Sequence, residues 1–204
     1  MLRVIPVEPA EASVQEAVAT LRAGGLVAFR TDTLYGISAD PAHAGAMARL
    51  RALKSRATGG FVSLASDVAM ALAASSGIDP RVTRLVTQCW PGPVTLVLAA
   101  GESLAPGLRS PDGSWAVRVP DQPWCRCLVS RLGAPLPSTS ANLPGRPPVR
   151  AATDLAADLG DDLDLAVDGG GVPAETPASA LVDARAWPPR LLRGGGPELA
   201  AMLR

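Results

Sequence analysis

Lysine is almost missing from this 204-residue sequence: Lys54 stands alone against eighteen arginines. Such a bias reads as arginine having replaced lysine wherever either serves, so the position that kept lysine is singled out, since a compact ammonium on a flexible stem differs from a planar guanidinium. Histidine is as scarce. His43 is the only one, which excludes an HExxH zinc site and any multi-histidine metal cage; lying just before a helix start, it reads as a surface or capping residue. Three cysteines, an odd number in a long chain, and the tight Cys125-Arg126-Cys127 spacing fit buried reduced thiols better than a zinc site or a disulfide framework. Aromatic residues are 3% of the chain, too few for the stacking platforms that grip single-stranded nucleic acid. The net charge is zero, with 19 Lys+Arg against 19 Asp+Glu, which argues against a generally basic nucleic-acid binder. No apolar run reaches the roughly 18 residues of a membrane span. The start, MLRVIPVEPAEAS, lacks the apolar core of a secretory signal, so the expected compartment is the cytoplasm. Neither GxxxxGK[ST] nor GxGxxG occurs, and the glycine runs 169–171 and 194–196 lack the strand–turn–helix setting of a phosphate loop.

What is present fits one domain over residues 1–204, 48% apolar and long enough to bury its own core. Twenty glycines and twenty prolines predict many turns and short elements. Residues 3–7 read as an edge strand, because a proline interrupts them. Val14, Ala17, Val18 and Leu21 share one face of a helix over 10–22 that Gly24-Gly25 ends. Strands are expected at 25–30, 34–38, 61–65, 94–99, 114–119, 136–138, 165–167, 180–182 and 190–192. Helices are expected at 42–53, after Ser66-Asp67, at 79–89, 122–132 and 154–159, and near 196–203. Strands and helices alternate without a strict βαβ rhythm, which predicts an α/β fold: a twisted mixed sheet with helices on its faces.

Four polar segments punctuate this pattern. Arg30-Thr31-Asp32-Thr33-Leu34-Tyr35-Gly36 is either an Asx turn or a polar clamp for an amino-acid-sized ligand. Lys54-Ser55-Arg56 ends a helix: its cations either favour the helix C-terminus or converge on a phosphate, one as a point charge and the other as a fork. Ser138-Thr139-Ser140-Ala141-Asn142 is either a solvated loop or an anion-binding nest. Arg118 sits mid-strand, opposite in facing to Val117 and Val119, and points either to open solvent or into a polar pocket.

Taken in order, these segments resemble the YrdC-like family of threonylcarbamoyl-AMP synthases. The residues that carry the resemblance are Thr31-Asp32-Thr33-Leu34-Tyr35-Gly36, Lys54-Ser55-Arg56, Trp90-Pro91-Gly92-Pro93-Val94-Thr95-Leu96-Val97-Leu98, Arg118-Val119-Pro120, Ser138-Thr139-Ser140-Ala141-Asn142, Ser179-Ala180-Leu181-Val182-Asp183 and Arg193. The resemblance runs from about residue 10 to 195, nearly the whole chain. The resemblance implies a twisted mixed sheet with a large concave, positively lined cavity. It implies synthesis of threonylcarbamoyl-AMP from L-threonine, bicarbonate or CO2, and ATP with Mg²⁺. The product would feed modification of adenosine 37 in tRNA by a downstream transferase complex. By the same resemblance Thr31, Arg118, Ser138 and Ser179 contact threonine. Lys54, Arg56, Ser140, Asn142 and Arg193 face ATP, Ser114 lines the nucleotide side, and Lys54 and Arg56 supply the catalytic charge. No protein side chain is assigned to a metal.

The chain departs from the family pattern at several places. Ala57 replaces the proline that follows the cation pair, Gln122 replaces a histidine, Pro144 replaces a serine, and Ala180 a threonine. The additional C-terminal domain of longer relatives is not expected. Two other readings compete: an RNA-binding module using the same cavity, with weak and salt-sensitive binding, and a carbamoyl-transfer domain related to hydrogenase maturation.

Overall fold

The computed structural model describes residues 2–55 and 60–204. Its elements follow the hydrophobic pattern closely. Helix α1 (Ala10–Arg22) buries Val14, Ala17 and Leu21, the i, i+3, i+7 face the sequence predicts. Helix α2 (Ala44–Leu53) buries Met47 and Leu50, with Leu53 only half-buried. Helices α3 (Val68–Ala73), α4 (Pro80–Cys89) and α5 (Pro123–Leu132) begin on Asp67, Asp79 and Gln122, whose side chains accept from backbone N–H groups of the first turn. That is the ordinary remedy for orphaned helix donors. His43 does the same for α2, its Nδ1 accepting from the Ala46 N–H at 3.1 Å, which settles it as a capping residue. Gly133 ends α5 in the left-handed region at φ 78°. Two short helices complete the set, α6 (Ala152–Leu159) and α7 (Pro197–Met202).

Ten strands form one mixed sheet: β1 (Arg3–Pro6), β2 (Val27–Arg30), β3 (Tyr35–Ser38), β4 (Val62–Leu64), β5 (Val94–Ala99), β6 (Ser114–Arg118), β7 (Leu136–Ser140), β8 (Leu165–Asp168), β9 (Ala180–Asp183) and β10 (Arg190–Arg193). Their spatial order is β1-β8-β2-β3-β7-β4-β6-β5-β9-β10. The proline-bearing β1 lies at an edge, as expected. β7 runs two residues further than its apolar part, through Thr139 and Ser140, because these pair with Ile37 and Gly36 of β3.

Each sheet face carries its own core. On one face α1 and α5 pack on Val27, Phe29, Leu165 and Val167, with Leu64 and Leu136 beneath them; the Phe29 and Trp124 rings meet at 5.4 Å between centroids. The other face holds Ala28, Ile37, Leu96, Trp115 and Val117 under α2, α4 and α6. Cys89 and Cys125 are buried, but Cys127 is exposed. The expectation of three buried thiols therefore holds for two, since a two-residue step on a helix turns Cys127 about 200° away from Cys125.

Candidate active site

The face under α1 and α5 is not covered throughout. Where β3, β7, β4 and β6 run beyond the helices, it opens into a cavity of about 170 Å³, small beside the roughly 300–1,000 Å³ that enclose drug-sized ligands. Its lining includes Thr31, Arg118, Ser138, Ser140, Ser179 and Arg193. Gly36 lies on its floor, where a Cβ would fall 2.5 Å from Ser138 Oγ; a side chain there would push into the space.

Arg118 reaches this cavity from the end of β6, only 4% exposed. Its Nη1 faces Asp32 Oδ1 at 3.1 Å. Its Nη2 donates to Thr31 Oγ1 and Thr33 Oγ1, both at 3.0 Å. The sequence left open solvent or pocket, and the pocket is what forms. Burial lowers the Arg118 pKa, and the Asp32 charge opposes that shift. The turn itself is closed by Thr31, not by an Asx interaction of Asp32. Thr31 Oγ1 accepts from the Thr33 and Leu34 N–H groups and donates to Leu34 O at 2.7 Å. Asp32 is thereby released to face the guanidinium.

Lys54 caps the end of α2. Its Nζ donates to Ser140 O at 3.1 Å, Asn142 O at 2.8 Å and Asn142 Oδ1 at 2.7 Å. Ser140 Oγ also donates to Asn142 Oδ1, at 2.6 Å. The serine-rich segment is therefore neither a solvated loop nor a nest of open N–H groups. The Ala141 N–H bonds to Tyr35 O and the Asn142 N–H to Ser140 O, so the positive group presented there is the Lys54 ammonium. Arg56 lies outside the described residues.

Ser179 Oγ lies 2.9 Å from Thr95 Oγ1, and Arg193 donates to Ser179 O at 3.2 Å. The segment leading to Ser179 is pinned upstream: Arg30 donates to Gly169 O and the Tyr35 hydroxyl to Gly170 O, both at 2.9 Å. Burial pushes the Tyr35 hydroxyl pKa up to about 12. Ser114 does not join the cavity. It sits at the far end of β6, its hydroxyl donating to Asp112 Oδ1 at 2.6 Å, two residues before Ala116, the register partner of Val62. The structure thus gathers Thr31, Arg118, Ser138, Ser140, Ser179 and Arg193 around one space, with Lys54 and Asn142 joined to it through Ser140. Sequence reasoning named Asp32 and Thr33 only within a turn read as an Asx turn or a polar clamp, assigned neither of them to Arg118, and gave Thr95 no role; the signal available was a carboxylate and hydroxyls beside or within apolar strands.

A family model for Sua5/YciO/YrdC proteins, described as "Telomere recombination", matches residues 19–195. The chain belongs to the Sua5/YciO/YrdC family. A threonylcarbamoyl-AMP synthase of Chromohalobacter salexigens is 38% identical over 153 residues, covering 74% of this chain and 83% of that one. Another, from Stenotrophomonas maltophilia, is 36% identical over 172 residues, covering 82% and 92%. Among solved structures, P. abyssi Sua5 complexed with L-threonine superposes with a TM-score of 0.88 at 27% identity over 99% of this chain. The chain spans only 60% of that Sua5. A HypF structure with a TM-score of 0.75 at 21% identity, covering 88% of this chain and 28% of its own, shares the fold alone. At Gln122 the departure from the family pattern is mild: its side chain accepts from the Trp124 and Cys125 N–H groups, as the His43 ring does for α2.

Proposed function

We propose that this protein is an L-threonylcarbamoyladenylate synthase, joining L-threonine, bicarbonate or CO2, and ATP with release of diphosphate. The observation that carries the reading is a polar site in which the buried Arg118, Ser138 and Ser140 line one cavity and Ser140 joins Lys54 and Asn142 to it. It has a small pocket at one end and an ammonium at the other. The named function of the relatives and the L-threonine bound to P. abyssi Sua5 support it.

In this reading Thr31, Arg118, Ser138 and Ser179 hold threonine. Lys54, Arg56, Ser140, Asn142 and Arg193 hold ATP, with Ser114 on the nucleotide side. The threonine amine adds to CO2 and loses a proton to give a carbamate. A carbamate oxygen then forms a bond to the α-phosphorus, while the bond from that phosphorus to the bridging oxygen breaks and diphosphate leaves with the electron pair. Two anions must approach each other, so fixed cations that offset their repulsion, together with positioning, carry the rate. No covalent enzyme intermediate is needed, and His43 is engaged as a helix cap. Among the described residues no group of three or more His, Cys, Asp or Glu side chains could hold a metal ion. In this reading Mg²⁺ would come with the nucleotide and supply charge neutralisation to its phosphates. The product serves threonylcarbamoylation of adenosine 37 in tRNA by a separate transferase complex, in the cytoplasm where ATP and threonine are found; among the described residues no helix is long and apolar enough to cross a membrane.

The test is diphosphate release by the purified protein with ATP, Mg²⁺ and bicarbonate. Release that requires L-threonine is expected; release indifferent to threonine removes the reading. RNA binding through the same cavity is disfavoured by zero net charge and few aromatics. Any such binding should fall steeply with salt. The HypF-like reading rests on fold alone.

A further inference from the structure

Among the described residues two serine hydroxyls are sealed in the sheet with no hydrogen-bond partner: Ser38 on β3 and Ser63 on β4, each 0% exposed. An unpaired buried hydroxyl carries a desolvation penalty that alanine would relieve, so each requires a reason. They face opposite ways. Ser38 is in register with Ser138, so both point to the cavity face, their Cβ atoms about 4.5–5.5 Å apart as in any directly opposed pair. Ser63 lies between Val62 and Leu64, which line the cavity, and therefore points to the opposite face.

Ser138 Oγ rests over Gly36, near the spot a Cβ would take. Another staggered χ1 well would turn it away from Gly36, toward the opposed Ser38. The charged groups that line the cavity, Arg118 and Arg193, stand on β6 and β10, and the Lys54 ammonium meets β7 two residues further on, at Ser140. The Ser38–Ser138 end, on β3 and β7, offers only neutral hydroxyls and suits a hydroxyl better than a carboxylate. We infer that Ser38 is a positioning residue for the side-chain hydroxyl of the bound amino acid. It acts through Ser138, which donates to Ser38 and accepts from the ligand. The inference rests on the amino-acid reading of the cavity given above, and it gives the unpaired state of Ser38 a purpose that Ser63 lacks.

The experiment compares L-threonine with L-2-aminobutyrate, which differs only in carrying hydrogen where threonine has its hydroxyl, in the diphosphate assay, alongside thermal melting. Ser38→Ala is expected to melt at or above the wild-type temperature. It should lose about tenfold in kcat/KM for threonine, the worth of one hydrogen bond, with aminobutyrate unchanged. Ser63→Ala should melt at or above wild type with both substrates unchanged. If Ser38→Ala does not fold, Ser38→Cys replaces it, keeping the volume with a weak donor and acceptor. A Ser38 variant with the wild-type preference for threonine overturns the inference, as does the same loss in Ser63→Ala. Either result leaves threonine-dependent release by the wild-type protein intact. Absence of that release overturns the proposed function and this inference together.

Discussion

One face of the sheet carries two unlike halves. Under α1 and α5, Val27, Phe29, Leu165 and Val167 interlock with helix side chains and exclude water. A few residues away on neighbouring strands, the same face presents Gly36, Ser138, Ser140 and Arg118 to a cavity. β7 crosses the border by itself: Leu136 belongs to the core, while Ser138 and Ser140, two and four residues on, belong to the cavity. Strand alternation keeps the three on one side, so the change from core to site is one of residue chemistry and not of backbone geometry. Stability and function can therefore be perturbed separately on adjoining positions.

The largest effect is expected of Arg118→Met, where that separation should fail because this cavity side chain is itself buried. It should lower kcat/KM by more than about a hundredfold, the scale of losing one charged stabilising group. It should also cost about 3–5 kcal/mol in stability, because Asp32 is left as an uncompensated buried charge; chemical denaturation and the diphosphate assay read the two. Lys54→Ala should reduce turnover by about a hundredfold while circular dichroism stays that of the folded protein. Wild-type turnover in that variant would remove Lys54 from the mechanism. In the covered half the pattern reverses: Phe29→Ala should cost about 3–5 kcal/mol and leave kcat of the folded fraction near wild type when assayed well below its melting point. A smaller effect belongs to Tyr35, which ties the Gly170 segment to β3. Its pKa is raised from 10.0 to about 12, so the protonated hydroxyl favours the fold. That contribution is whole below pH 10 and is lost as pH rises toward 12. The urea midpoint should fall over that window in the wild type and fall less in Tyr35→Phe.

Most elements are legible in the sequence because each depends on local pattern. Helix α1 follows from the spacing of Val14, Ala17 and Leu21, and β5 from an uninterrupted apolar run. The site is legible only as candidates. Nothing local says that Arg118 points inward; that follows from β4 and β5 flanking β6 and from Asp32 arriving across the sheet. Nor does spacing reveal that Lys54 meets Asn142, 88 positions later, since β3, β7 and β4 must first pair. The choice of Thr31 over Asp32 to close its turn was hidden for the same reason: the buried guanidinium claims the carboxylate, and the hydroxyl is left to satisfy the backbone.

Two capped helices adjoin site residues in the chain. Helix α2, which ends at Lys54, begins on the His43 ring nitrogen; helix α5, which follows Arg118, begins on the Gln122 amide oxygen. Each start ties down orphaned backbone donors, so alanine at His43 or Gln122 should fray a helix that leads to or from a site residue while every group lining the cavity stays in place.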